Sequence, residues 1–313
     1  MPEKPTRRWP AQLGLALALA ILMAALSIAK PNFLTVANLV NLVRQISING
    51  ILAVGVTFVL LTGGVDLSLG SLVALTGVVA ACFAHPDQYS VLAAVLAGVA
   101  AGTLCGAANG WVIARGRIAP FVVTLGMMTA ARGLALLISG GKPVSNLSSA
   151  FTRIGGGDIF SVPVPIVIFA VVALLSHVFL KNMRLGRYVY AVGGNQNAAL
   201  ASGVNARNIK TLAYTICGGF AGLAGVVLAS RITTGQPNAG IGYELDAIAA
   251  VVIGGTSLNG GVGGVGGTIL GALLIGVINN GLDLLNVSSY YQQIVKGLII
   301  VSAVWLDPNK DKA

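Results

Sequence analysis

"AQLGLALALAILMAALSIA" occupies residues 11–29 and contains no charged side chain. A run of about 20 apolar residues is what a bilayer requires, because a helix advances only about 1.5 Å per residue against about 30 Å of hydrocarbon. The run follows Lys4, Arg7 and Arg8, as the apolar part of a secretory signal would. What comes after it, Lys30-Pro31-Asn32-Phe33, is not the small-residue pattern of a cleavage site. The run is therefore read as a retained first membrane helix.

The rest of the chain is of the same kind. Of its 313 residues, 56% are hydrophobic and 9% are charged, where a soluble domain carries about 25% charged residues. The apolar segments are long and continuous rather than short and alternating, so the fold class is an all-α integral membrane protein and not a β-barrel. The 42 glycines suit membrane helices, in which small residues let backbones approach closely. The net charge of +10 would suggest nucleic acid in a soluble protein, but here the basic residues cluster in particular loops and report orientation instead. Cys82, Cys105 and Cys217 lie in apolar segments with no metal or disulfide spacing, and His85 and His177 are isolated. They are read as packing residues.

About ten spans follow from the apolar runs. They cover residues 11–29, 46–62, a stretch ending near 84, 91–114, 118–139, 164–180, 209–230, 244–253, 268–285 and 290–306. The run at 244–253 is too short to cross alone. Residues 30–45 read as a short interfacial helix, with Leu39, Leu42 and Val43 on one face. Placing the N-terminus in the cytoplasm puts Arg115, Arg117, the segment 184–210 and the tail with Lys310 and Lys312 on the inside. Lys30, Arg44, Lys142, Arg153 and Arg231 then fall outside, and the balance still favours both termini in the cytoplasm. The organisation is a cytoplasmic tail at 1–10, one membrane domain at 11–306 with a cytoplasmic loop at about 184–208, and a tail at 307–313. Asn109-Gly110 and Gly126 recur as Asn280-Gly281 and Gly297 at one offset of 171 residues, in hairpins that point opposite ways. That is the pattern of an inverted transporter repeat.

The segment 184–210 carries Arg184, Arg187, Arg207 and Lys210 and no acidic residue. An inside loop obeying the positive-inside rule explains the charges, which can also anchor it at an anionic lipid surface. It does not explain the helix signals. Gly193-Gly194 frees the backbone, Asn195 is a good N-cap, Ala198, Ala199, Leu200 and Ala201 favour helix, and Gly203 supplies a left-handed C-terminal position after Ser202. A helix of about two turns, roughly 10 Å long, is unstable alone in water and must pack against something. Its small-residue face suits insertion into a groove on a partner.

Four stretches in order carry a resemblance: "LTGGVDLSLGS" (61–71), "RLGRYVYAVGGNQNAALASGVN" (184–205), "GYELDAIAAVVIGGTSLNGG" (242–261) and "NNGLDLLNVSSYYQQIVKG" (279–297). The chain resembles, over nearly its whole length, the membrane-spanning permease subunit of ribose-type ATP-binding-cassette (ABC) sugar importers. The resemblance implies a bacterial cytoplasmic-membrane protein that moves a monosaccharide. It also implies an ABC ATPase subunit that uses the ATP, a periplasmic or extracellular sugar-binding protein, and a second copy of the chain. No cofactor is expected on this chain and no nucleic acid as partner. By the same resemblance residues 195–202 are the coupling helix that docks into a cleft of the ATPase. Two positions depart from the family pattern: Gln196 stands where many members have Glu, and Val262 and Gly264 stand where many carry a basic residue.

Other residues admit two readings each. Asp66 either caps the third helix at a cytoplasmic turn or lines the translocation path, since a carboxylate deep in a bilayer is functional by default. Glu244 and Asp246 either complement a helix dipole or dock the binding protein on the outer face. The loops at 140–163 and 231–243 are further docking candidates. Asn49 and Thr57, like Thr124, Asn109, Asn279 and Asn280, either bond sugar hydroxyls along a path or bond neighbouring helices. "GGTSLNGGVGGVGGT" (254–268) lacks the order of a phosphate-binding P-loop, so its glycines read as a tight turn and close helix packing. No nucleophile with a base, carboxylate pair or metal cluster marks an enzyme. An ion-coupled transporter working alone is the alternative, and the scarcity of intramembrane acids speaks against it.

Overall fold

The computed structural model describes residues 9–86 and 88–305. Apart from Trp9 and Pro10, the two expected tails lie outside it. Among the described residues the chain is almost entirely helical. In order it forms α1 (Trp9–Ala29), a 3-10 turn (Pro31–Leu34), α2 (Val36–Leu61), α3 (Leu69–Cys82), α4 (Val91–Gly116) and α5 (Pro120–Ser139). Next come α6 (Ser149–Gly156), a hairpin of β1 (Asp158–Ile159) and β2 (Val162–Pro163), α7 (Val164–Asn182), α8 (Arg184–Gly194) and α9 (Gln196–Ala201). The last four are α10 (Ala206–Arg231), α11 (Tyr243–Ile253), α12 (Val265–Leu284) and α13 (Ser289–Trp305).

Every one of the ten apolar runs is helical, but they differ in reach. Among the described residues seven helices are long and apolar enough to cross a membrane: α1, α2, α4, α5, α7, α10 and α12. α3, α11 and α13 have 14, 11 and 17 residues. At about 1.5 Å per residue α3 and α11 fall well short of a bilayer and are half-helices. The interfacial helix expected at 30–45 is instead the first three turns of α2. Thr35 caps it by accepting from the Asn38 N–H, and no proline interrupts residues 36–61. The loop at 140–163, expected outside, is also more ordered than a connector. Ser148 caps α6, and buried Ser230 stitches α6 to α10 by accepting from the Gly155 N–H at 2.6 Å and donating to the Phe151 carbonyl at 2.7 Å. The salt bridge from Arg44 to Asp158 (2.9 Å) then ties the hairpin to α2.

The 171-residue offset runs through the whole architecture. Shifted by that amount, α2 becomes 207–232, α3 becomes 240–253 and α4 becomes 262–287, which overlie α10, α11 and α12. α5 shifts to 291–310 and overlaps α13. The packing repeats as well: α10 lies along α4 and α3 as α2 lies along α12 and α11, and α2 meets α10 at the centre. Each unit is a long helix, a break, a half-helix and a hairpin. The half-helices meet N-terminus to N-terminus, where Gly70 of α3 touches Gly240 and Glu244 at the entrance to α11. The segment before α11 reaches this point by re-entering the bundle. It runs from Gly235, against Val78 and Ala81, back along α3 to Gly240.

Candidate functional site

The end of the bundle that carries the basic loops, the inner end by charge, presents α9. The local chemistry forms this short helix as expected. The Asn195 Oδ1 accepts from the Ala198 N–H at 2.9 Å, and Gly203 adopts φ +82° with its N–H donating to the Leu200 carbonyl at 3.0 Å. Lys210 of α10 donates to Gln196 at 2.7 Å and holds the N-terminal turn. Ala199 is buried among Val189, Val192, Ala206 and Ile209, so it fastens α9 to the permease. The outward face consists of Ala198, Ala201, Ser202 and Leu200, the last 49% exposed. Leu200 is the large apolar side chain of that face, and small-residue spacing alone could not say which side of so short a helix points out.

What precedes α9 differs from expectation. Residues 184–194 are α8, a helix rather than a flexible lead-in, and Gly193 and Gly194 close its last turn. Their role is close approach. A Cβ on Gly193 would run into the Leu61 carbonyl at the end of α2, whereas one on Gly194 would meet nothing. The loop between α11 and α12 arrives at the same place. The Gly261 N–H donates to the Leu61 carbonyl at 3.0 Å, and Gly260 (φ +89°) lies against Gly193 and Gly63. The glycines at 254–268 are thus a tight turn, as expected, and a three-backbone junction besides.

Asp66 lies in the break between α2 and α3 and is fully buried, so the cytoplasmic surface turn expected for it is not what forms. Its Oδ1 accepts from the Ser68 N–H at 2.9 Å and the Ser68 hydroxyl at 2.6 Å, and Asn109 of α4 donates to that hydroxyl at 3.2 Å. The carboxylate therefore shapes the entry to the half-helix, with Ser68 as the N-cap residue. Tyr214 of α10 donates to the Val65 carbonyl at 3.0 Å and fixes the same stretch. Thr57 meets Thr268 at 2.7 Å and joins α2 to α12, which is the helix-bonding alternative. Asn49, also on α2, is buried, and its Oδ1 has no hydrogen-bond partner among the described residues.

Glu244 and Asp246 both lie in the first turn of α11 but face different surroundings. Asp246 is buried and accepts from Lys296 of α13 at 2.9 Å and from Asn279 of α12 at 3.2 Å. It is committed to its neighbours rather than offered to a docking partner. Glu244 is half-buried beside Gly70 at the meeting point of the half-helices. There Arg132 of α5 donates to the carbonyls of Pro237 (2.6 Å) and Ala239 (2.9 Å) and pins the re-entrant segment. Among the described residues no group of three or more His, Cys, Asp or Glu could hold a metal ion.

Broken helices meeting inside a bundle of apolar spans, with a capped helix held out at one end, define a membrane transport component. The chain matches, over residues 38–304, the family described as branched-chain amino acid transport system / permease component, and it belongs to that family. It is 47% identical over 309 residues to the ribose import permease protein RbsC of Escherichia coli K12, covering 97% of this chain and 96% of that one. It is 46% identical over 301 residues to RbsC of Bacillus subtilis 168 (96% and 93%). It is 39% identical over 295 residues to the D-allose transport system permease protein AlsC of Escherichia coli K12 (94% and 90%). No solved structure matches it. The chain is a permease subunit and not an enzyme.

Proposed function

We propose that this chain is the permease subunit of an ATP-driven importer for a monosaccharide in the bacterial cytoplasmic membrane, with ribose the first sugar to test. Relatives named for ribose import and for D-allose transport, matched over nearly the full length, support the substrate class. In this reading a soluble binding protein delivers sugar to the outer end. Two copies form a closed pair with the path between them, and a separate ATPase chain binds the paired α9 helices and supplies all the ATP chemistry. The observation that carries the reading is the two-sidedness of α9: Ala199 buried against the permease, Leu200 held out.

The test is Leu200→Asp in cells that take up the sugar. Expected is a fall in ATP-driven uptake of about tenfold or more, as for loss of an apolar anchor at the centre of an interface. The permease should remain in the membrane at normal level and no longer co-purify with the ATPase. Retained uptake and co-purification would exclude α9 as the docking helix. Ala199→Arg is the wrong probe, because it would force a charge into the contact with α10 and unseat the helix whatever its function.

A further inference from the structure

We propose that Gly193 and Tyr190 are positioning residues for transport: they join α8, and through it α9, directly to the break in front of α3 and to the loop that follows α11. The proposal rests on α9 being the helix the ATPase moves.

The junction is built from backbone. Leu61, the last residue of α2, offers its carbonyl to the Gly261 N–H at 3.0 Å, and Gly193 packs on that same carbonyl. A Cβ on Gly193 would also lie 2.6 Å from the Gly261 nitrogen. A Cβ on Gly260 would lie 2.9 Å from both the Gly193 oxygen and the Gly63 nitrogen. One turn back on α8, the Tyr190 hydroxyl donates to the Gly263 carbonyl at 3.1 Å.

From this point one stretch, Gly63 to Ser68, leads into α3, and the other, Gly254 to Gly264, comes from α11. Those half-helices meet at Gly70, Gly240 and Glu244 deeper in the bundle. A side chain between two elements can change rotamer and absorb a displacement, whereas backbone packed on backbone has no such freedom and moves together. A shift of α8 and α9 therefore reaches both stretches at once. The Ala199 cluster and the Lys210–Gln196 hydrogen bond already fasten α9 to the bundle, so the junction is additional to these contacts.

Adjacent glycines supply the control. The assembled transporter, with its ATPase, is placed in vesicles, and co-purification, ATP hydrolysis and sugar uptake are read for Gly193→Ala, Gly194→Ala and Tyr190→Phe. Gly194→Ala is expected to behave as wild type. Gly193→Ala should keep the ATPase bound and hydrolysing while uptake per ATP falls by about tenfold, and Tyr190→Phe should lower uptake per ATP by about threefold, within the range of coupling residues remote from any ligand. Unchanged uptake per ATP in both Gly193→Ala and Tyr190→Phe overturns the proposal, and so does a loss of uptake that merely tracks loss of bound ATPase. If Gly193→Ala does not accumulate in the membrane, Tyr190→Phe, which removes one oxygen, decides alone. Failure of the underlying reading looks different, since wild type would then bring down no ATPase or Leu200→Asp would keep it.

Discussion

Along α4, Gly98, Gly102, Gly106 and Gly110 recur every fourth residue and lie against α10 or the crevice between α10 and α3. The residues 171 positions on are Ile269, Leu273, Val277 and Gly281 of α12, three of them with large side chains. In the first seam a Cβ on Gly106 would lie 2.9 Å from the Gly218 Cα, and one on Gly110 2.7 Å from the Thr211 Cα. In the second, Leu273 and Val277 pack into a cluster with Leu26, Phe33, Leu42 and Ile46, and Leu26 of α1 covers Gly281. The two halves share element lengths and pairings but not packing chemistry. Lipid tails are as apolar as leucine, so helices in a bilayer associate through close packing and interhelical hydrogen bonds. The α4–α10 seam takes the first route, with backbones in contact and few rotamers to rearrange. The α2–α12 seam uses side chains and polar ties, Thr57 to Thr268 and Asn38 to Asn280, and has more ways to repack.

The largest expected break in that comparison is Gly102→Leu. Its side chain would have to occupy space held by the Gly218 carbonyl and the Gly222 backbone. A loss of about 3 kcal/mol or more is expected from overpacking, read as a lowered thermal midpoint in detergent. Val277→Ala at the place in α12 that corresponds to Gly106 should cost only about 2 kcal/mol, because it opens a cavity that neighbours can partly close. Equal losses would mean the seams do not differ as described.

Next in size is the charge pair of the second half. Lys296→Met leaves Asp246 buried without its cation, and about 2 kcal/mol of stability should go, less than for a wholly buried pair because the Lys296 side chain is 28% exposed. The double variant Asp246→Asn with Lys296→Met should recover most of the loss. A double variant as weak as the single would show that the charges themselves, rather than an unpaired one, matter. The smallest effect is at Asn38 and Asn280, whose side-chain amides exchange hydrogen bonds at 3.0 and 2.8 Å. Asn38→Leu should cost about 1 kcal/mol, as intramembrane hydrogen bonds between helices do, by the same thermal measurement.

Features that depend on neighbours along the chain were legible in advance. Each of the ten apolar runs forms a helix, seven of them long and apolar enough to cross a membrane, the repeat offset found at three residues relates four pairs of elements, and Asn195 and Gly203 bracket α9. Helix period, caps and chain length act within a few residues, and the sequence states them directly. Where an expectation missed, the cause was a distant partner. Gly193-Gly194 looked like a flexible link because Leu61 and Gly261, which require the missing side chain, are far away in sequence. Of the two readings of Asp66, the one that set it at a surface turn missed the burial, because nothing local reports that Asn109 and Tyr214 close over its break. Of the two readings of Asp246, the docking one does not anticipate Lys296 and Asn279, which come to it from two other helices.

By itself, then, the sequence determined that this is a helical membrane protein of repeated design, which segments are helical, and where a capped helix stands at one end. Only the tertiary structure decided which face of that helix is free, which of two adjacent glycines bears a contact, and how far the short helices reach into the bundle. Those outcomes depend on which backbones meet across long stretches of chain, and a residue's spacing from its own neighbours carries no record of that.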